Sequence, residues 1–174
     1  MKINKQFSFR SLLLLSILLV ALSLSSCSST NDQFAIYFPA GSITAQEILQ
    51  VDPASLKLSD TALITADEIV SYERNIHKLT LTDTGYQKLL LQKTPVQGIP
   101  LIAAVGKQPV YALALWTPLS SLSYEGVIIM QPFDPNDRSV YLLTGYPTER
   151  FFNGTDPRSD IRIFEALEKD GKLK

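Results

Sequence analysis

Ile99–Trp116 reads IPLIAAVGKQPVYALALW, and its reading decides the fold. Two strongly apolar runs flank Gly106-Lys107-Gln108, where glycine supplies a turn conformation that other residues resist. The segment is therefore predicted to be a β-hairpin. Leu101–Val105 shows no polar alternation, which implies burial on both faces and a place in the middle of a sheet. Pro109 is expected at the turn end, where its missing N–H costs little.

On the C-terminal side, Val127–Met130 (VIIM) and Val140–Leu143 (VYLL) read as further strands, separated by the turn-rich Pro132–Asp137. Upstream, Phe34–Phe38 (FAIYF) is aromatic and β-branched and stops at Pro39-Ala40-Gly41, a first strand. Ile76–Leu81 (IHKLTL) alternates apolar and polar and reads as a strand. Capping-box spacing at Thr44/Glu47 and at Thr65/Glu68 predicts two short helices, the second running through Ile69 and Tyr72. Thr82 is placed to cap a helix over Asp83–Lys93, with Leu89 and Leu90 inward and Pro95 ending it. Asp156 and Pro157 predict the start of a last helix, with Ile161, Phe164 and Leu167 at helical spacing and Gly171 just past its end. Leu56, Leu58 and Leu63 fit no period. Strands mixed with short helices, without regular alternation, argue for an α+β fold. The expected architecture is a single domain with a largely antiparallel sheet, a central hairpin and two or three short helices, those at Asp83 and Pro157 against one face.

The chain begins with Lys2, Lys5 and Arg10, continues with the apolar run Leu12–Leu22 (LLLLSILLVAL) and closes with Leu24-Ser25-Ser26-Cys27. The run is well short of the ~20 residues of a membrane span and suits the roughly 7–15 of a signal-peptide core. Leu24-Ser25-Ser26-Cys27 resembles the lipobox of bacterial lipoproteins. The resemblance implies a cleaved signal peptide over residues 1–26, a lipidated Cys27 with a polar tether over 27–33, and an extracytoplasmic domain over 34–174. It further implies a thioether-linked diacylglycerol on Cys27 and an acyl chain on the new amino terminus; two such signals hold a protein firmly where one binds reversibly. The expected location is the extracytoplasmic side of the cell membrane or outer membrane. Ser28 is not the Asp that commonly marks inner-membrane retention in that family. The competing reading is an ordinary secreted protein with a leftover thiol.

Cys27 is the only cysteine, so the domain has no intramolecular disulfide and must hold itself together by core packing. The net charge of −1 becomes −4 once Lys2, Lys5 and Arg10 leave, with 13 basic residues against 17 acidic. An acidic domain with no Lys/Arg block is a poor partner for nucleic acid or for anionic headgroups, and the lipid itself is the expected membrane contact.

His77 is the single histidine, so any Ser-His-Asp arrangement has only one candidate base. Ser120, Ser121 and Ser123 are nearby candidates for a nucleophile only in sequence terms, because no Gly-x-Ser-x-Gly elbow presents them. With no second histidine and no free cysteine, a zinc site is not expected. In Asp134–Ser139 an EF-hand alignment fails at Arg138 and Ser139, which favours an acidic turn over a calcium loop. There is no phosphate-binding or dinucleotide fingerprint, and no cofactor is expected. Aromatic residues make a better surface. Trp116 and Tyr124 bracket the serine-rich loop and Tyr146 follows, a candidate binding loop for peptide, glycan or lipid. Phe151 and Phe152 read more as core plugs than Trp116 does. Leu79–Leu89 (LTLTDTGYQKL), followed by Gly98–Tyr111, is similar to the strand-helix-hairpin pattern in the extracytoplasmic domain of the SecD export subunit, which implies a fold and no functional residue. The function expected is a lipid-anchored, non-catalytic module that binds a protein, peptide or envelope polymer. The alternative is an envelope hydrolase using carboxylates or a loop serine, with His77 as base.

Overall fold

A computed structural model describes residues 32–174; the expected signal peptide, Cys27 and the tether up to Asn31 lie outside the described residues. Eight strands form one sheet: β1 (Phe34–Pro39), β2 (Leu58–Ile64), β3 (Ile69–Glu73), β4 (Lys78–Leu81), β5 (Ile99–Val105), β6 (Gln108–Trp116), β7 (Tyr124–Met130) and β8 (Ser139–Tyr146). Their order is β2-β1-β5-β6-β7-β8-β4-β3. Two helices accompany them, α1 (Asp83–Leu90) and α2 (Ile161–Lys169). All neighbouring strands are antiparallel except β6 and β7. The fold is thus mixed, a largely antiparallel sheet with two helices.

The hairpin β5–β6 holds the third and fourth places of the sheet. Its turn is Gly106-Lys107, with φ of 55° and 63°, the positive pair whose twist matches that of the flanking strands. Leu101, Ile102, Ala103 and Ala104 have no exposed surface, as expected of a strand covered on both faces. Pro109 lies inside β6, opposite Ala104, beside a bulge that takes up its missing donor.

Parallel neighbours ordinarily need a crossover of about a dozen residues or more. Here Thr117–Ser123 alone returns the chain from the end of β6 to the start of β7. So short a strap must lie taut against the sheet, and the space beneath it is filled by aromatic rings. Trp116 and Tyr124 have ring centroids 4.9 Å apart, and Trp116 and Tyr146 5.8 Å. Ala45, Ala114 and Ile128 complete this outer cluster, which lies apart from the main core.

The main core fills the other face of the sheet, and the sheet curls around it. β2 and β3 are the two ends of the strand order, yet only Thr65–Glu68 joins them. Eight flat strands at ~4.8 Å spacing would hold those edges ~34 Å apart. Five Cα steps of 3.8 Å reach only ~19 Å, so the sheet must bend until its edges approach. Helix α1 sits against β2 and β4, and Leu89 joins Ile163, Ala166 and Leu167 of α2 in the same core as Leu101, Leu113 and Ile129. The β3 edge is occupied by the C-terminal residues: Tyr72 N–H donates to Lys172 O (2.8 Å), and Lys174 N–H donates to Tyr72 O (2.8 Å). On the β2 edge Asp60 is exposed and the Ser59 hydroxyl donates to Thr61 O.

Several local expectations change. Both capping boxes form, but each opens only one turn of 3-10 helix, at Glu47–Gln50 and Ala66–Glu68. Ile69–Glu73, expected as the continuation of the second helix, is β3; its β-branched start pairs with β4, and a strand partner outweighs one helical turn. The unassigned leucines belong to β2 and its approach. β4 begins only at Lys78, with His77 in the preceding turn at φ 49°. α1 is capped by Thr82, whose hydroxyl accepts from Gly85 N–H, and it ends at Leu90 rather than Lys93. α2 starts at Ile161 with Asp160, not Asp156, as its cap; its buried face is Ile163, Ala166 and Leu167, with Ile161 exposed.

Gly98 shows how tightly the strap end is built. At φ 73° it lies in the left-handed region, and a Cβ there would fall 2.4 Å from the Trp116 ring. Gly98→Ala is expected to cost about 2–4 kcal/mol, combining backbone strain with overpacking. Urea unfolding followed by the emission of Trp116, the only tryptophan, measures it.

Candidate functional site

The structure brings Trp116, Tyr124 and Tyr146 together, as the candidate binding loop required, but it turns them inward. Trp116 and Tyr124 have no exposed surface and can touch no ligand in this state; Tyr146 is half-buried. Trp116 and Tyr124 therefore support the loop from within instead of facing a ligand, while Tyr146 keeps part of its surface in solvent. Phe151 and Phe152 invert the expectation in the other direction. Phe151 is exposed and Phe152 only partly packed against the core.

What the strap offers outward is aliphatic. Leu119 is 85% exposed and Leu122 45%. Beside them stands Val96, from the segment leading into β5, also exposed. The strap is fastened to that segment: the Ser120 hydroxyl donates to Val96 O (2.6 Å) and accepts from Leu122 N–H (3.1 Å). Tyr146 braces it from below, its hydroxyl donating to Ser120 O at 3.1 Å. Two apolar side chains of the strap and one of the neighbouring segment thus stand together, and the strap is held at several points. Apolar groups held in water on a rigid support suit association with a complementary apolar surface.

His77 lies in a different setting. Its Nδ1 and the Tyr72 hydroxyl are 2.7 Å apart. Arg158 and Asp156 stand near: Arg158 Nη2 donates to Asp156 Oδ2 (2.7 Å) and Nη1 to Leu142 O (2.6 Å). The bond from Arg158 holds the Asp156 carboxyl below its ordinary range. Burial, with the Arg158 guanidinium second, pushes His77 below its ordinary value, against the opposing pull of Asp156. A base needs a nucleophile within hydrogen-bond reach. His77 is instead engaged with Tyr72 and Ser120 with Val96, so the Ser–His pairing raised by the sequence is not formed.

The acidic turn is knotted on itself. Asp134 Oδ1 accepts from Asn136 N–H and Asp137 Oδ1 from Ser139 N–H, both at 2.8 Å, while Arg138 pairs with Asp83. Among the described residues no group of three or more His, Cys, Asp or Glu side chains could hold a metal ion.

The sequence marks the strap by its serines and flanking rings but not the side chains it exposes. Leu119 and Leu122 were legible only as apolar residues among serines, a signal that also fits core.

Two outcomes follow from this geometry. Among the described residues the buried Tyr124 hydroxyl has no hydrogen-bond partner, nor has Trp116 Nε1. Tyr124→Phe removes a desolvated hydroxyl without loss of ring packing, so stability in urea is expected to be unchanged or to rise by about 1 kcal/mol. A loss of that size would mean the hydroxyl has a partner. For His77 the folded chain resists the proton that the unfolded chain accepts near its ordinary value of ~6.5. Its contribution to stability is therefore full above that value and lost as pH falls below it. The urea midpoint should fall from pH 7 towards pH 5, and His77→Asn, which tolerates the left-handed backbone, should flatten that slope. No protein-family model, curated protein or solved structure matches this chain.

Proposed function

We propose that this chain is a lipid-anchored, non-catalytic binding module of a bacterial cell envelope, tethered through Cys27 and presenting the strap Thr117–Ser123 to a protein partner. The observation that carries the reading is Leu119, 85% exposed on a fastened loop. Its distance from Gln33, where the chain enters the domain, supports a role towards a partner.

The β5–β6 hairpin is the yardstick. At its turn, Gly106 N–H donates to Gln33 O (3.0 Å), where the chain enters the domain. At its open end stand Val96 and the strap. The seven residues of β5 separate the two by ~23 Å at ~3.3 Å per residue. From Cys27 to Asp32 is five steps, at most ~18 Å of chain. A lipid on Cys27 would attach to the domain at the turn end of this hairpin, the end opposite the apolar tip, which favours a protein partner over the bilayer as the occupant of the tip. The net charge of −4 beyond the signal fits a domain held by lipid and not by headgroup attraction.

The test is site-specific photo-crosslinking in intact cells. With the crosslinker at position 119 a discrete protein adduct is expected; at Ile161, equally apolar and exposed on α2, none is expected. Cys27→Ser should move the protein from the membrane to the soluble fraction and abolish the adduct at 119. No adduct at 119 rejects the tip, and membrane retention of Cys27→Ser rejects the anchor.

A further inference from the structure

A second site opens where β6 and β7 part company. Their pairing begins only at Leu113↔Val127 and runs to Trp116↔Met130. Before that point Val110–Ala112 of β6 have no partner on the β7 side, while Tyr124 has already turned to pair with Tyr146 of β8. The strands diverge, and a groove of about 450 Å³ occupies the wedge, within the ~300–1,000 Å³ usual for ligand sites. Ala112, Val51, Phe152, Glu125 and Asn153 are among its lining residues, and the Leu49 side chain covers Gly126.

Glu125 is the only charged residue lining this groove. Among the described residues no basic side chain pairs with it; its only side-chain contact is a long one, from Asn153 Nδ2 at 3.4 Å. A trough of mixed polar and apolar lining, with an unpaired stretch of strand and one uncompensated carboxylate, has a definite complement. The unpaired strand offers backbone groups to an extended chain, and the carboxylate selects a cation.

We propose that the β6–β7 groove binds an extended peptide segment by main-chain pairing to Val110–Ala112, with a lysine or arginine side chain of that segment on Glu125. The groove shares no residue with the strap tip, so this site stands or falls apart from the anchored reading.

The experiment is fluorescence anisotropy on the full-length chain in detergent micelles. The probe is a fluorescein-labelled, capped pentapeptide with a central lysine flanked by valines. Saturable binding below ~1 mM is expected. The norleucine counterpart should bind about tenfold more weakly, and Glu125→Gln should reduce the lysine peptide to the norleucine level while leaving the norleucine peptide unchanged. Backbone N-methylation of the probe should weaken it to a similar degree, since it removes the strand donors. Absence of saturable binding overturns the site. Equal affinity of Glu125→Gln for the lysine peptide overturns the role of the carboxylate. Undiminished binding of the N-methylated probe, or equal binding of a simple alkylamine, overturns strand pairing and leaves a small-amine pocket in its place.

Discussion

The seven-residue return from β6 to β7 is the constraint on which the rest of the structure depends. A parallel neighbour placed beside a hairpin strand without a helix to carry the chain back forces the connection to run taut across the sheet. The rings of Trp116, Tyr124 and Tyr146 fill what would otherwise be a void under it. That choice fixes two surfaces at once. Where the strap leaves β6 it is pinned to Val96 and lifts Leu119 into solvent; where it reaches β7 the two strands have not yet met, and the wedge between them remains open. Tip and groove are opposite ends of one geometric compromise.

The same economy appears at the sheet edges. Thr65–Glu68 links the first and last strands of the order, and its closing carboxylate is tied into α1. Glu68 accepts from Lys88 (2.7 Å) and from Thr65 N–H (2.9 Å). Burial alone would raise the Glu68 carboxyl, but the Lys88 and Thr65 bonds outweigh it and hold the group below its ordinary value. A polar link is therefore satisfied internally at the place where the curl of the sheet is tightest, as buried polar groups require.

Much of this was legible in residue types. The hairpin at Gly106-Lys107, the helix capped by Thr82, the strand at Phe34 and the double-sided burial of Leu101–Ala104 all follow from local chemistry. The direction of β7 does not, because VIIM carries no mark of whether its neighbour is parallel. Nor does the fate of Trp116. Its flanking Thr117-Pro118 looks like a loop, and only the shortness of the crossover, a property of the pairing, drives the ring inward. The second capping box was read correctly as chemistry and wrongly as length, since pairing of Ile69–Glu73 with β4 won over helical continuation. His77 fell one residue outside its strand, where a left-handed turn aims its ring at Tyr72.

Closure at the margins bears on self-association. The tail Lys172–Lys174 is stitched along β3, and Ser59 with Asp60 blunts β2. Neither rim is left as a bare template on which another molecule could add a strand. For a domain that can form no internal disulfide, sealed rims are a defence against polymerisation that ordinary core packing does not provide.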